Sequence, residues 1–280
     1  MTIPIRDRAH LVERAVEAFG SAPPSPPQSR VHSTERETKG PAIQLASLIR
    51  AGLVVLPNHH QRSRVAEEMT VIQQQVLRGM EQSESSRNRF IVVTSARPGE
   101  GKTFIALNLA ACISANTAYK VVLVDADGKR DSISQKLSCG EFLGLRWLTA
   151  QTGGVSPILD TEVQNLGFLP YGRGETDSQA VPAGSLIAAS LSRLSRSLPQ
   201  HIFIVDTPPS LSTSDANALS AIAGQVVMVV DAEKTRRNEV EAALDMMEAC
   251  PLLQLLLNKV GVTANDSFGA YGQYGAIHAG

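Results

Sequence analysis

Short apolar runs that recur along the chain constrain its fold more than any other feature. Segments with a helical pattern separate these runs, and each run is continuously apolar instead of alternating with polar residues. Continuous Val, Ile and Leu indicate strands that are covered on both faces. The alternation predicts an α/β fold with a mainly parallel, doubly wound sheet and flanking helices. The runs are Phe90–Ser95, Val121–Asp125, Leu166–Leu169, Ile202–Asp206, Val226–Asp231 and Leu253–Asn258.

A glycine-rich segment joins the first run to a helical pattern. It reads Ala-Arg-Pro-Gly-Glu-Gly-Lys-Thr over residues 96–103 and fits the P-loop spacing, with Ala where the first Gly is usual. Backbone N–H groups at such a helix start converge on phosphates, the Lys neutralises them, and the Thr hydroxyl joins the Mg²⁺ shell. A glycine-rich turn without a ligand is the alternative. The residues predicted to contact the nucleotide here are Pro98, Gly99, Glu100, Gly101, Lys102, Thr103 and Phe104.

Polar side chains end three of the other runs. Asp125 and Asp127 close the second run, Asp206 closes the fourth, and Asn258 closes the last. The carboxyl ends of parallel strands meet at the edge of the sheet where ligands bind. The carboxylates are therefore predicted to act on Mg²⁺ and on an incoming hydroxyl group. The alternative is that an Asp at a strand end is only a cap. The amide of Asn258 is predicted to contact adenine, and a turn asparagine is the alternative interpretation.

The outer parts of the chain differ from this centre. The pattern of residues 1–20 predicts an amphipathic helix, and residues 21–61, which are rich in Pro and Ser, are expected to be a mostly flexible linker. The main domain is expected over residues 62–260, led by a helix from Arg62 to Met80. Residues 261–280 are predicted to be a mobile tail, which contains Tyr271 and Tyr274.

Composition excludes several classes of protein. With 26 basic and 27 acidic residues, the chain has no overall field that would attract nucleic acid. Its apolar runs are far shorter than the roughly 20 residues of a membrane-spanning helix. The first twenty residues carry interspersed charges, unlike a secretory signal. We therefore expect a cytoplasmic protein without a nucleic-acid partner.

The motifs together resemble those of a known family. Ser-Ala-Arg-Pro-Gly-Glu-Gly-Lys-Thr, Val-Asp-Ala-Asp, Val-Asp-Thr-Pro-Pro and Leu-Asn-Lys are similar to the motifs of the bacterial tyrosine kinases. Among these, the chain resembles the exosortase-associated exopolysaccharide tyrosine autokinases. Further similarity lies in Leu-Pro-Tyr-Gly at residues 169–172 and in the tail segment Ala270–Gly275. The resemblance covers most of the chain outside the linker and implies a P-loop NTPase related to partitioning ATPases.

The resemblance also implies an activity. An enzyme of this kind transfers the γ-phosphate of ATP, with Mg²⁺, to tyrosines of a C-terminal tail, and so tunes exopolysaccharide synthesis and export. The implied phospho-acceptors are Tyr271 and Tyr274, and the alternative is that both are spacers in a Gly- and Ala-rich tail. The implied catalytic residues are Lys102, Asp125 and Asp127, with Asp125 assisting the tyrosine hydroxyl, and the implied Mg²⁺ ligands are Thr103, Asp127 and Asp206.

Partners follow from the same resemblance. They are an inner-membrane polysaccharide chain-length regulator, which would recruit the protein to the membrane, and further copies of this chain in a homo-oligomer. Two features depart from the family pattern: the tail holds only two tyrosines, and the leading helix lacks the Glu-x-x-Arg-x-x-Arg motif that joins neighbouring subunits.

Two other functions compete with the kinase. One is a partitioning-type ATPase switch, although the second Lys that such loops carry is replaced here by Arg97 or Pro98. The other is a nucleotide-binding adaptor without kinase activity, which the sparse tyrosines favour and the intact Lys102 opposes.

Overall fold

The computed structural model describes residues 43–55, 63–81, 86–129, 131–150, 156–173 and 182–261. The amphipathic helix predicted at residues 1–20, most of the predicted linker and the tyrosines Tyr271 and Tyr274 lie outside these ranges.

The described part of the chain contains seven strands. They are β1 (Phe90–Ser95), β2 (Lys120–Asp125), β3 (Leu159–Asp160), β4 (Leu166–Leu169), β5 (His201–Asp206), β6 (Gln225–Asp231) and β7 (Leu253–Asn258). They form one sheet of order β3-β4-β2-β5-β1-β6-β7. All neighbouring pairs are parallel except β3 with β4.

Helices connect the strands. They are α1 (Leu45–Ala51), α2 (Arg64–Glu81), α3 (Lys102–Asn116), α4 (Ile133–Lys136), α5 (Leu145–Ala150), α6 (Gly184–Ser197), α7 (Asp215–Ser220) and α8 (Arg237–Asp245), with a 3-10 turn at Ser86–Arg89. None of the helices in the described ranges is both long and apolar enough to cross a bilayer.

The sheet is covered on both faces, as its continuously apolar strands predict. Successive residues of β1 point to opposite faces: Ile91 packs in one apolar cluster and Val92 in the other. The first cluster contains buried residues of α1, α2 and α3, such as Val76. The second contains buried residues of α6, α7 and α8, such as Leu191. The six predicted strands and the leading helix are therefore confirmed, with ends shifted by at most two residues.

Strand β3 is absent from the sequence prediction. It has two residues, Leu159 and Asp160, which is too short to produce a period. It exists because it pairs antiparallel with β4, in the register Leu159 to Phe168.

Part of the predicted flexible linker is folded. Within residues 21–61, the segment 43–55 forms α1 and an extended stretch, and its Leu48 and Leu53 are each only 1% exposed. The side chain of Asn108 on α3 holds the segment: its Oδ1 accepts hydrogen bonds from the N–H groups of Val54 and Val55. These residues are the folded part of a segment that the sequence predicts to be mostly flexible, and the apolar contacts that fold them lie far away along the chain.

Candidate nucleotide-binding site

The phosphate loop lies between β1 and α3, as the sequence predicts. The strand ends at Ser95, whose hydroxyl donates to the carbonyl of Arg97 at 2.8 Å, and α3 begins at Lys102. Gly101 has φ +101°, and a Cβ there would collide with the amide of Asn258. Only glycine fits this position without strain, since its backbone is left-handed and the neighbouring side chain leaves no room.

The side chain of Glu100 holds the loop from inside. It is 3% exposed and accepts hydrogen bonds from the N–H of Arg97 at 2.6 Å and the N–H of Asp231 at 3.3 Å. It also accepts from the hydroxyl of Thr235. A buried carboxylate with several donors is well satisfied. The carboxylate of Glu100 therefore joins the loop to the segment after β6. The predicted contact of Glu100 with a nucleotide would use its backbone N–H instead.

The end of β7 holds the loop from outside. The amide Nδ2 of Asn258 donates to the carbonyl of Glu100 at 2.8 Å. The ammonium of Lys259 donates to the carbonyl of Gly99 at 2.6 Å and pairs with Asp231 Oδ2 at 3.0 Å. The structure thus gives Asn258 a role in shaping the loop, and its predicted contact with adenine stays a prediction.

Lys102 lies between two carboxylates that the sequence predicts as Mg²⁺ ligands. Its Nζ lies 2.6 Å from Asp127 Oδ2 and 3.7 Å from Asp206 Oδ1. Burial by itself lowers the pKa of Lys102, but Asp206 and Asp127 outweigh it and raise the pKa above the ordinary value. The lysine is therefore a firmly charged cation among acidic groups. Its Nζ also lies 3.3 Å from the hydroxyl of Thr103.

Asp125 is fully buried at the end of β2 and organises the loop that follows. Its Oδ1 accepts the N–H of Asp127 at 3.0 Å, and its Oδ2 accepts the N–H of Ser134 at 2.9 Å. These bonds bend the chain so that Asp127 faces Lys102. The second carboxylate of this loop, Asp127, also pairs with Lys129 at 3.2 Å.

Asp206 differs from the other two carboxylates. It is fully buried, and neither of its oxygens has a hydrogen-bond partner among the described residues. Burial raises the pKa of Asp206 to about 7, against the opposing effect of the Lys102 ammonium. A buried carboxylate without donors is suited to receive a cation.

These residues fit a Mg²⁺ nucleotide. The described ranges contain no group of three or more His, Cys, Asp or Glu side chains around one metal position. Mg²⁺ does not require such a cage, because it is held by one or two carboxylates together with water and phosphate oxygens. The protein ligands of such a site would be Asp206, whose two carboxylate oxygens accept no hydrogen bond from the described residues, and the hydroxyl of Thr103 at the start of α3.

Two predicted nucleotide contacts have other surroundings. Pro98 is exposed at the tip of the loop. Phe104 is half-buried, packs against the first apolar cluster and approaches Gly52. Their contacts with a nucleotide remain predictions.

A cavity of about 250 Å³ lies next to the loop that Asp125 organises. Its lining includes Gly128, Ser134, Arg146, Tyr171 and Arg173. The hydroxyl of Ser134 accepts the N–H of Tyr171 at 2.8 Å, and the N–H of Ser134 binds Asp125. The cavity wall is therefore joined to a predicted catalytic carboxylate through the hydrogen bond from Ser134 to Asp125.

Sequence reasoning missed Asp231, Thr235 and Lys259 as parts of the site. Asp231 and Lys259 were visible at the ends of two predicted strands, since both strands end at the same edge of the sheet. Nothing in the sequence indicated Thr235, which lies in the turn after β6.

Comparisons with known proteins identify the family of this chain. The matching family model is ParA, described as NUBPL iron-transfer P-loop NTPase, and it matches residues 86–268. The tyrosine-protein kinase CpsD of Streptococcus agalactiae is 30% identical over 201 residues, which cover 69% of this chain and 83% of that protein. The putative tyrosine-protein kinase CapB of Staphylococcus aureus is 29% identical over 185 residues, 65% of this chain and 79% of that protein.

A solved structure has a similar fold. The chimerical protein CapA2B2 superposes with a TM-score of 0.57 and 26% identity, over 77% of this chain and 93% of that one. The phosphate loop, the paired aspartates after β2 and the buried aspartate after β5 are thus found in a chain whose relatives are tyrosine kinases. The chain belongs to the bacterial tyrosine kinase family, within the ParA-type P-loop NTPases.

Proposed function

We propose that this protein is an ATP-dependent tyrosine autokinase that phosphorylates Tyr271 and Tyr274 of its tail and thereby regulates exopolysaccharide synthesis and export. The observation that carries the proposal is the cluster of Lys102, Asp125, Asp127 and Asp206 at the end of the phosphate loop. Family membership supplies the reaction class.

The residues divide the work of phosphoryl transfer. Mg²⁺ held by Thr103, Asp127 and Asp206 would neutralise the β- and γ-phosphates. Lys102 provides a second positive charge and exchanges its contact with Asp127 for the phosphates. Backbone N–H groups of the loop and of the first turn of α3 bind the phosphate oxygens.

The transfer itself is a displacement at phosphorus. The bond from the γ-phosphorus to the bridging oxygen of ADP breaks as a bond to the tyrosine oxygen forms, and the phenolic proton leaves to a carboxylate, for which we propose Asp125. The cavity beside Ser134 and Tyr171 provides space for a segment that carries an acceptor.

The proposed partner is a polysaccharide chain-length regulator in the inner membrane, and the proposed location is the cytoplasmic side of that membrane. The resemblance to exopolysaccharide autokinases supports both. A homo-oligomer in which one copy phosphorylates the tail of the next is part of the same proposal.

Mass spectrometry of the full chain after incubation with Mg²⁺-ATP tests this function. No Lys or Arg follows Lys259, so trypsin releases one peptide, residues 260–280, that contains both tail tyrosines. We expect phosphate on this peptide in the wild type, none in Lys102→Ala, and wild-type phosphorylation in Lys136→Ala, which removes an exposed lysine outside the site.

The competing functions give other results. ATP hydrolysis without phosphotyrosine, with or without the cytoplasmic segment of a membrane partner, would reject the kinase and favour a partitioning-type switch. Nucleotide binding with neither reaction would favour an adaptor. A Tyr271→Phe/Tyr274→Phe chain that is phosphorylated as fully as the wild type would reject the proposed acceptors.

A further inference from the structure

Two consecutive carbonyl groups of the phosphate loop are bound by the end of β7. Lys259 Nζ donates to the carbonyl of Gly99 at 2.6 Å, and Asn258 Nδ2 donates to the carbonyl of Glu100 at 2.8 Å. These contacts join residues about 160 positions apart in the chain. They are directed at the backbone of the loop and not at its side chains.

The orientation of these carbonyls determines where the loop's N–H groups point. In a planar trans peptide the C=O and the next N–H point in opposite directions. With the Gly99 carbonyl held by Lys259, the N–H of Glu100 points away from β7. A phosphate loop works only when such N–H groups face the anion, because a flipped peptide would present a carbonyl oxygen to the phosphate instead.

Gly99 makes an external restraint necessary. It has φ +83°, and a Cβ there would meet nothing within 4 Å. A glycine in open space can adopt many backbone conformations at little cost, so the chain itself does little to prevent the peptide between Gly99 and Glu100 from flipping. The ammonium of Lys259 supplies the restraint.

Lys259 is itself held in a strained conformation. Its φ is +58°, in the left-handed region that non-glycine residues seldom occupy. Such strain persists where surrounding contacts enforce it, and it occurs preferentially at functional sites. Here the second contact is Asp231 Oδ2 at 3.0 Å, on the strand next to β7. The N–H of Asp231 in turn donates to Glu100, so Lys259 closes a polar ring around the loop.

We propose that Lys259 is a positioning residue for nucleotide binding: its ammonium fixes the Gly99 carbonyl, and so directs the Glu100 N–H to the phosphates. The inference rests on the nucleotide-binding part of the proposed function. The alternative is that Lys259 forms an ion pair with Asp231 that contributes only to folding, as many partly exposed pairs do weakly.

Three substitutions separate these roles in the full chain. Lys259→Met removes the ammonium, Lys259→Gly also relieves the left-handed backbone, and Lys259→Arg keeps a cation. Binding of Mg²⁺-ADP is measured by titration calorimetry, and the unfolding midpoint is measured without nucleotide. We expect the Met and Gly variants to bind ADP about 10-fold more weakly, as the loss of one charge-assisted hydrogen bond implies.

Stability should move differently from affinity. The unfolding midpoint of Lys259→Gly should equal or exceed that of the wild type, because glycine adopts φ +58° without strain. Lys259→Arg should recover most of the lost affinity. In phosphorylation assays the KM for ATP should rise in Lys259→Met while kcat changes little, since the substitution acts on the binding of the phosphates.

Lys234→Met is the matched control. It removes an exposed positive charge from the segment that follows β6, and its ADP affinity should stay within about twofold of the wild type.

Wild-type affinity in Lys259→Met would overturn the proposal, as would a Lys259→Gly chain that loses stability and affinity together. A wild type that binds no Mg²⁺-ADP would reject both this inference and the proposed function. A wild type that binds ADP but phosphorylates no tyrosine would reject the kinase alone, because the binding comparison still decides the role of Lys259.

Discussion

At Asp206, burial and the charge of Lys102 have opposite effects on the pKa. It is fully buried without a hydrogen-bond donor, and burial raises the pKa to about 7. The ordinary pKa of an unfolded Asp is 3.8. Between these two values the folded protein binds a proton at Asp206 that the unfolded chain has released. The contribution of this group to stability is therefore complete below about pH 4 and is lost as the pH rises through about 7.

Asp206→Asn should remove this loss in the absence of nucleotide and metal. The free energy of unfolding of the variant should exceed that of the wild type by about 2–4 kcal/mol at pH 8, with a smaller difference at pH 5. Urea unfolding at both pH values measures the difference. Asp245→Asn, at an exposed position on α8, is the control and should show no such trend. An equal difference at pH 5 and pH 8 would contradict the raised pKa.

At the scale of elements, α3 has two functions. Its first turn holds Lys102 and Thr103 at the candidate site, and its middle holds the segment before α2 through Asn108. The amide of Asn108 makes four hydrogen bonds: Oδ1 accepts from Val54 and Val55, and Nδ2 donates to the carbonyls of Gly52 and Phe104. A helix that is buried on nearly every side can connect the site to this segment rigidly.

Asn108→Ala should lower the free energy of unfolding by about 2–4 kcal/mol, because the substitution leaves buried backbone groups without partners. Amide hydrogen exchange should show faster exchange at Val54 and Val55, whose N–H groups lose their acceptor. Asn217→Ala on α7, at an exposed position, is the control and should change stability little. Unchanged exchange at residues 52–55 would contradict the role assigned to Asn108.

At the scale of the whole molecule, the question is where the folded domain begins. The sequence places its start at residue 62, whereas α1 and the stretch after it contribute Leu48, Leu53 and Val55 to the first apolar cluster. Removing them would take these side chains out of the first apolar cluster and would remove the hydrogen bonds that this segment makes with Asn108 on α3.

A chain of residues 62–261 should therefore be less stable than a chain of residues 43–261. We expect a loss of at least about 3 kcal/mol, the order of the burial energy of two leucines. Urea unfolding of the two truncated chains measures this, with the full chain as reference. Equal stability of the two would mean that α1 is an accessory to the domain and that the boundary predicted from sequence was adequate.

The sequence determined the features that depend on neighbouring residues. Continuous apolar runs specify buried parallel strands, and the parallel arrangement brings the ends of β1, β2 and β5 to one edge. The convergence of Lys102, Asp125, Asp127 and Asp206 could therefore be predicted from their positions at the ends of predicted strands and at the start of a predicted helix.

Only the tertiary structure decided the features that depend on distant residues. Strand β3 is too short to have a pattern and forms by pairing with β4. Residues 43–55 fold because their backbone donates hydrogen bonds to Asn108 and their apolar side chains pack in the first apolar cluster. The ammonium of Lys259 contacts the carbonyl of Gly99, which lies 160 positions away in the chain. The left-handed backbone of Lys259 follows from no pattern in the sequence. Local periodicity indicates which secondary structure a segment prefers. Contacts between β7 and the phosphate loop form only after the sheet has placed both at one edge.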